Sequence, residues 1–255
     1  MKKLVSSFYD TKTMTGRCLL LTKRNPDMIL TSFVAPVLMM ILFVYVLGGA
    51  MNVGSTSYVN YIVPGIILQS LGQCATTTAI SVSTDIKTGI IDRFCTMPIK
   101  KSAILSGHLW ESFARNGLTT ALVVAVAFLV GFRPEANFAG WLVAILILCL
   151  YIQTISWCSI FFGIIAKSPE GAGAFSVFAI VLPYISSGFV PTDTMPQVLR
   201  IFAEHQPMTP IIDTLRDALQ GKALQADITL TAMLWCVFLL AAFYVLSVRA
   251  FQRKQ

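Results

Sequence analysis

Residues 28–84 run for 57 positions without an Asp, Glu, Lys or Arg. Soluble domains carry charge at about one residue in four, so a run of this length belongs in lipid. Hydrocarbon offers the backbone no hydrogen-bond partner, and a helix needs about 20 apolar residues to cross a core of about 30 Å. The run is therefore two spans and a turn. Further uncharged blocks at 116–132, 136–166, 171–192 and 228–248, in a chain with 12% charged and 56% hydrophobic residues, repeat the pattern. The alternating segments of about ten residues that a membrane β-barrel requires are absent. The expectation is an all-α integral membrane protein, one transmembrane domain over residues 1–255, with six transmembrane helices near 28–47, 58–82, 106–131, 138–165, 171–190 and 228–248.

Basic residues gather on the cytoplasmic side of membrane proteins, and an even number of spans puts both termini on one side. With both termini cytoplasmic, the inner segments hold fourteen Lys and Arg and the outer ones four, Arg133, Arg200, Arg216 and Lys222. The net charge of +7 thus belongs to an inner face and gives no argument for nucleic acid. A signal peptide is not expected, because the Met-Lys-Lys start leads into the polar run SSFYDTKTMTGR. Residues 4–24 mix Leu4, Phe8, Cys18, Leu19 and Leu21 with Lys, Arg and Thr, then meet Asn25-Pro26. An amino-terminal interfacial helix and a solvated arm both fit.

Six charges then appear within 85–101, in the stretch SVSTDIKTGIIDRFCTMPIKK. Ile86, Ile90 and Phe94 recur at intervals of four with Met97 three further on, while Asp85, Lys87, Asp92 and Arg93 take the other sides and Pro98 ends the run. This predicts a cytoplasmic amphipathic helix near 85–98. Such a helix lies on the headgroups, or it docks its apolar stripe in a groove of a soluble partner with the flanking charges setting register.

His108, Glu111 and Arg115 follow at helical spacing, so Glu111 and Arg115 can pair. Ionisable residues at membrane depth are candidate functional sites, but residues 116–132 alone suffice for a short span, and the trio is placed at the inner interface. On the outer side, Pro191, Pro196, Pro207 and Pro210 divide 191–219 into pieces too short to cross a bilayer, 196–204 and 210–219. They carry Leu199, Ile201, Phe202, Ile211, Ile212 and Leu215, too apolar for an ordinary outer loop, and predict a re-entrant hairpin of two half-helices between spans five and six, narrowing an exit. Gly49 and Gly54 in the turn at 48–57 have phosphate-loop spacing, but no Lys follows, so this chain is not expected to hydrolyse ATP. Six Cys without CxxC spacing, and a His–Glu pair lacking a second His, support neither a disulfide framework nor a metal site.

Two segments resemble a known family. STDIKTGIIDRFCTMPIKKSAILSGHLW is similar to the cytoplasmic loop signature of permease subunits of type 2 ABC exporters, including the daunorubicin-resistance permeases. PYISSGFVPTDTMPQVLRIFAEHQPMTPIIDTLRDAL is similar to their segment between spans five and six. The resemblance implies a multi-pass protein of the bacterial plasma membrane that binds no cofactor itself. Two permease chains, identical or sister, would join two ATPase subunits that hold ATP and Mg²⁺. It also implies that the loop around Gly89, Asp92, Arg93 and Pro98 contacts the ATPase and that 191–219 is re-entrant, with Gly188, Pro191, Pro196, Pro207, Asp213 and Arg216 at the exit.

The expected function is the membrane half of an ATP-driven exporter that moves a hydrophobic or amphipathic drug, antibiotic, peptide or lipid outward by alternating access. The rival is an ATP-independent secondary transporter or channel, which would want paired acidic residues deep in the spans. A membrane-embedded enzyme would want a nucleophile–base set, and none is seen.

Overall fold

The computed structural model describes residues 2–48 and 57–254, so most of the glycine-rich turn at 48–57 lies outside the described residues. The chain is helical throughout, and among the described residues there is no strand. In order come α1 (Lys2–Arg24), α2 (Pro26–Ile29), α3 (Ala35–Ile41), α4 (Tyr58–Lys87), α5 (Ile90–Thr96), α6 (Lys101–Val130), α7 (Phe138–Ile165), α8 (Pro169–Gly173), α9 (Phe175–Tyr184), α10 (Gln197–His205), α11 (Met208–Leu219) and α12 (Ala226–Arg253). The mixed sequence of 4–24 is therefore helical.

Four stretches are long and apolar enough to cross a membrane, Pro26–Val46, Ser102–Val130, Phe138–Ile165 and Ala226–Arg253. They correspond to the expected spans near 28–47, 106–131, 138–165 and 228–248. The expected span near 58–82 falls on α4, which has 30 residues but carries Ser, Thr and Gln along its length. The one near 171–190 falls on α8 and α9, which meet at Ala174.

Local chemistry explains the helix ends. The side-chain oxygen of Asn25 accepts from the N–H groups of Asp27 and Met28 and so separates α1 from α2. Between α2 and α3 the helix widens into a π-turn over Leu30–Val34, just where Pro36 has no N–H to offer Ser32. Pro64 inside α4 likewise frees the carbonyl of Asn60, which takes a hydrogen bond from Gln220 Nε2 at 3.3 Å.

α4 is the axis of the molecule. Ile62, Val63, Ile66, Ile67, Leu68 and Leu71 are wholly buried, as expected of a helix enclosed on all sides by α6, α7, α8, α9 and α11. Two glycines permit the tightest crossings. A Cβ on Gly65 would lie 2.5 Å from the Gly188 carbonyl oxygen, and one on Gly72 would collide with the backbone carbonyl of Ala179. On the far side of α7 lies α12, much of whose surface stays exposed, and α1 rests on α6 where Gly107 meets Met14.

One expectation is corrected at element level. A single helix over 85–98 does not form. α4 continues through Lys87, Gly89 turns the backbone at φ 69°, and a separate short helix, α5, starts at Ile90. Only glycine adopts that left-handed conformation without strain.

Candidate functional site

The residues singled out above gather at two ends of α4. At its carboxyl end, Arg17 on α1 forms a two-pronged ion pair with Asp85, Nη1 to Oδ2 at 2.6 Å and Nη2 to Oδ1 at 2.9 Å. His108 on α6 places Nε2 3.2 Å from Asp85 Oδ2, and Cys18 Sγ lies 3.8 Å from its Nδ1. Burial alone would raise the Asp85 carboxyl, but the hydrogen bonds from Arg17 and the close approach of His108 prevail and hold it well below the usual carboxylate range. The same bond to Asp85 raises Arg17. Asp85 is 6% exposed and is thus an anchor between α1, α4 and α6, not part of an outward docking surface.

The rest of the predicted docking segment sits beside this anchor. Ile91 is buried, Ile86, Gly89, Ile90 and Phe94 are half-buried, and Asp92, Arg93, Met97 and Pro98 are exposed. The Arg17 guanidinium lies 5.1 Å from the centre of the Phe94 ring. One arginine therefore touches both the end of α4 and α5.

One and two turns along α6 the pairing of Glu111 with Arg115 forms as expected, Nε to Oε1 at 2.8 Å, with both residues buried. Arg115 also donates to the Cys74 carbonyl at 2.7 Å and to Thr78 Oγ1 at 2.6 Å, and Thr22 of α1 donates to Glu111 Oε1 at 2.8 Å. Thr78, Ser112, Ser156 and Asn116 extend the chain of hydrogen bonds across α4, α6 and α7. Every charge here has a partner, so the trio is internal wiring between helices. Among the described residues no group of His, Cys, Asp and Glu is arranged to hold a metal.

At the amino end of α4 the hairpin of α10 and α11 docks. Pro191, Pro196 and Pro207 each sit just before a helical piece, the 3₁₀ turn Thr192–Thr194, α10 and α11. Arg216 of α11 donates to Asp213 and to the Ser187 carbonyl, both at 2.5 Å, and to the Tyr61 carbonyl at 3.3 Å, while its guanidinium lies 3.9 Å from the Tyr61 ring centre. Ser187 closes the ring by donating to Asp213 at 2.7 Å. Gly188 passes against Gly65, and Gln206 donates to the carbonyls of Leu182 and Ile185. Thus Asp213, Arg216 and Gly188 form one clamp, whereas Pro191 and Pro196 lie further out on the hairpin. Sequence reasoning missed Arg17, Tyr61 and Ser187, because nothing in their local pattern distinguishes them from ordinary interfacial or helix-end residues.

The sequence has relatives. The pattern of the ABC-2 type transporter family matches residues 9–219. The chain is 29% identical, over 96% of its length and 86% of the relative's, to the daunorubicin resistance ABC transporter permease protein DrrB1 of Streptomyces coeruleorubidus. It is 25% identical, over 83% of its length and 77% of the relative's, to the probable doxorubicin resistance ABC transporter permease protein DrrC of Mycobacterium tuberculosis.

Proposed function

Since the chain belongs to the ABC-2 type transporter family and is a multi-pass plasma-membrane permease subunit, we propose that it is half of an ATP-driven exporter for hydrophobic or amphipathic drugs. Separate ATPase subunits hold ATP and Mg²⁺, and two permease chains enclose the pathway. In this reading the chain crosses the membrane six times, with α4 and the α8–α9 pair supplying the two crossings that composition alone marks weakly. Both termini are cytoplasmic, and α10 and α11 are re-entrant from the outside.

The observation that carries the reading is the join between α4 and α5. α5 buries Ile91 against the bundle and leaves Asp92, Arg93 and Met97 exposed, and Arg17 ties its Phe94 to Asp85 at the end of the central helix. A partner that moves α5 therefore moves α4, and α4 carries the motion to the clamp of Asp213 and Arg216. Closure of the ATPases on ATP pulls this lever and switches access between the two faces. The drug-resistance names of the relatives support the cargo class.

The test is association. The chain is co-expressed with a Walker-motif ATPase from its own operon and purified through a tag on the permease. Wild type retains the ATPase, and Ile90→Glu or Phe94→Glu releases it and abolishes drug export. Full association in both variants overturns the docking role of α5. Export that continues without any ATPase overturns the ATP-driven reading in favour of a secondary transporter.

A further inference from the structure

A cavity of about 640 Å³ opens between α1, the start of the first span, α4 and α6, bordering the anchor at Asp85 and His108. Its wall on α4 is made by Thr77, Ser81 and Thr84, three hydroxyls on one helical face. Each has already committed its hydrogen: Thr77 to the Cys74 carbonyl at 2.7 Å, Ser81 to Thr77 at 2.9 Å, Thr84 to Ile80 at 2.8 Å. The same holds for Thr22, which donates to Glu111, and Thr31, which donates to Asp27. What these hydroxyls keep for a ligand is lone pairs.

Glu111 is 4% exposed and lines the same cavity. Its Oε1 takes the hydrogen bonds from both Thr22 and Arg115, and among the described residues Oε2 receives none. Arg115 stands behind it with Nη1 and Nη2 engaged by Cys74 and Thr78. Glu111 lines the cavity, so a ligand that carries N–H groups can donate to this oxygen. Of the basic residues that line the cavity, Arg24 sits at the exposed mouth and His108 faces Asp85; Asp27 adds a further carboxylate, and Leu21, Pro26, Met28 and Ile80 supply apolar surface.

From an acceptor-lined wall, an under-used carboxylate and an apolar flank, we infer that this cavity binds a primary ammonium group carried on an apolar body. The ammonium lodges between Glu111 Oε2 and the hydroxyls of α4, and the body lies along Leu21 and Ile80. Three donors on one nitrogen match a surface that offers acceptors. The volume suits a compact ligand of about ten to twenty heavy atoms. Calling the ligand exporter cargo rests on the proposed function; the binding does not. The same chemistry is available from a free amphipathic amine or from the ethanolamine headgroup of a phospholipid.

Calorimetric titration of the purified full chain in phosphatidylcholine nanodiscs, with no ATPase present, tests the site with three ligands that share one cage. These are 1-adamantylamine, its N,N,N-trimethyl derivative and adamantane-1-carboxylate. The primary amine is expected to bind saturably, and the donor-free cation and the carboxylate at least tenfold more weakly. Ser81→Trp, which fills the wall without removing a bond between helices, abolishes binding while the unfolding temperature holds. Repeating the titration with phosphatidylethanolamine in the disc separates the sources: a weakened apparent affinity assigns the site to the lipid headgroup, and an unchanged one assigns it to free amines. Equal affinity for amine and carboxylate on the wild-type chain overturns the proposal whatever the variant does, as does unaltered amine binding in a folded Ser81→Trp. Either result leaves the exporter assignment standing, since that depends on ATPase association.

Discussion

Asp85 shows how a single side chain can change its meaning once the chain is folded. In the sequence it opens a charged segment and reads as a surface residue; in the structure Arg17 and His108 enclose it from two other helices. A carboxylate held below its unfolded value near 4 contributes stability that is complete above that pH and is lost as pH falls through the folded value. Asp85→Asn is therefore expected to cost on the order of 2 kcal/mol at pH 6, less than a fully enclosed pair because the Arg17 side chain is 25% exposed. Thermal unfolding in detergent checks it: the wild-type advantage over Asp85→Asn is full at pH 5 and shrinks below about pH 4. An advantage that grows on acidification would contradict the ion pair. Glu111 and Arg115 differ, since their i, i+4 spacing is visible in sequence and their pairing follows.

At the scale of elements the fold depends on how closely others approach α4. Gly72 lets α9 come near enough for its Ala179 carbonyl to occupy the space a side chain would need, and Gly65 does the same for the turn at Gly188. Backbone cannot yield as a flexible side chain can, so Gly72→Val is expected to destabilise by at least about 3 kcal/mol. Gly117, within α6, has no neighbouring atom within 4 Å of the place a Cβ would take. Gly117→Ala removes only conformational freedom from the unfolded chain and should stabilise by up to about 1 kcal/mol. Unfolding temperatures of the two variants, measured side by side, should move in opposite directions. The same scale explains why the docking segment is two helices. The apolar period of Ile86, Ile90 and Phe94 runs unbroken through Gly89, and periodicity reports which residues share a face, not whether the backbone turns between them.

Taken whole, the molecule has an ion-paired end and a clamp joined by one long buried helix, and it lacks any recognisable ATP-binding loop among the described residues. Vesicles containing the chain alone are expected to show no ATP-dependent drug uptake; adding the partner ATPase should restore it, and a fluorescence assay for drug accumulation reads both. Much of this architecture was legible beforehand. Charge-free runs locate apolar spans because lipid excludes unpaired polar groups, prolines divide 191–219 into two short helices because they cannot continue one, and the two family-like segments identify the permease class. Composition marked 58–82 less plainly than its neighbours, since a helix buried inside protein can carry Ser, Thr and Gln that a lipid-facing one cannot. What the sequence alone determined is what depends on neighbours along the chain: helical spacing, breaks at proline and the apolar runs. Only the tertiary structure decided which distant groups meet, Arg17 with the Asp85 carboxylate and Arg216 with the Tyr61 and Ser187 carbonyls. Such pairings depend on how helices separated by many residues cross, and no local period records that geometry.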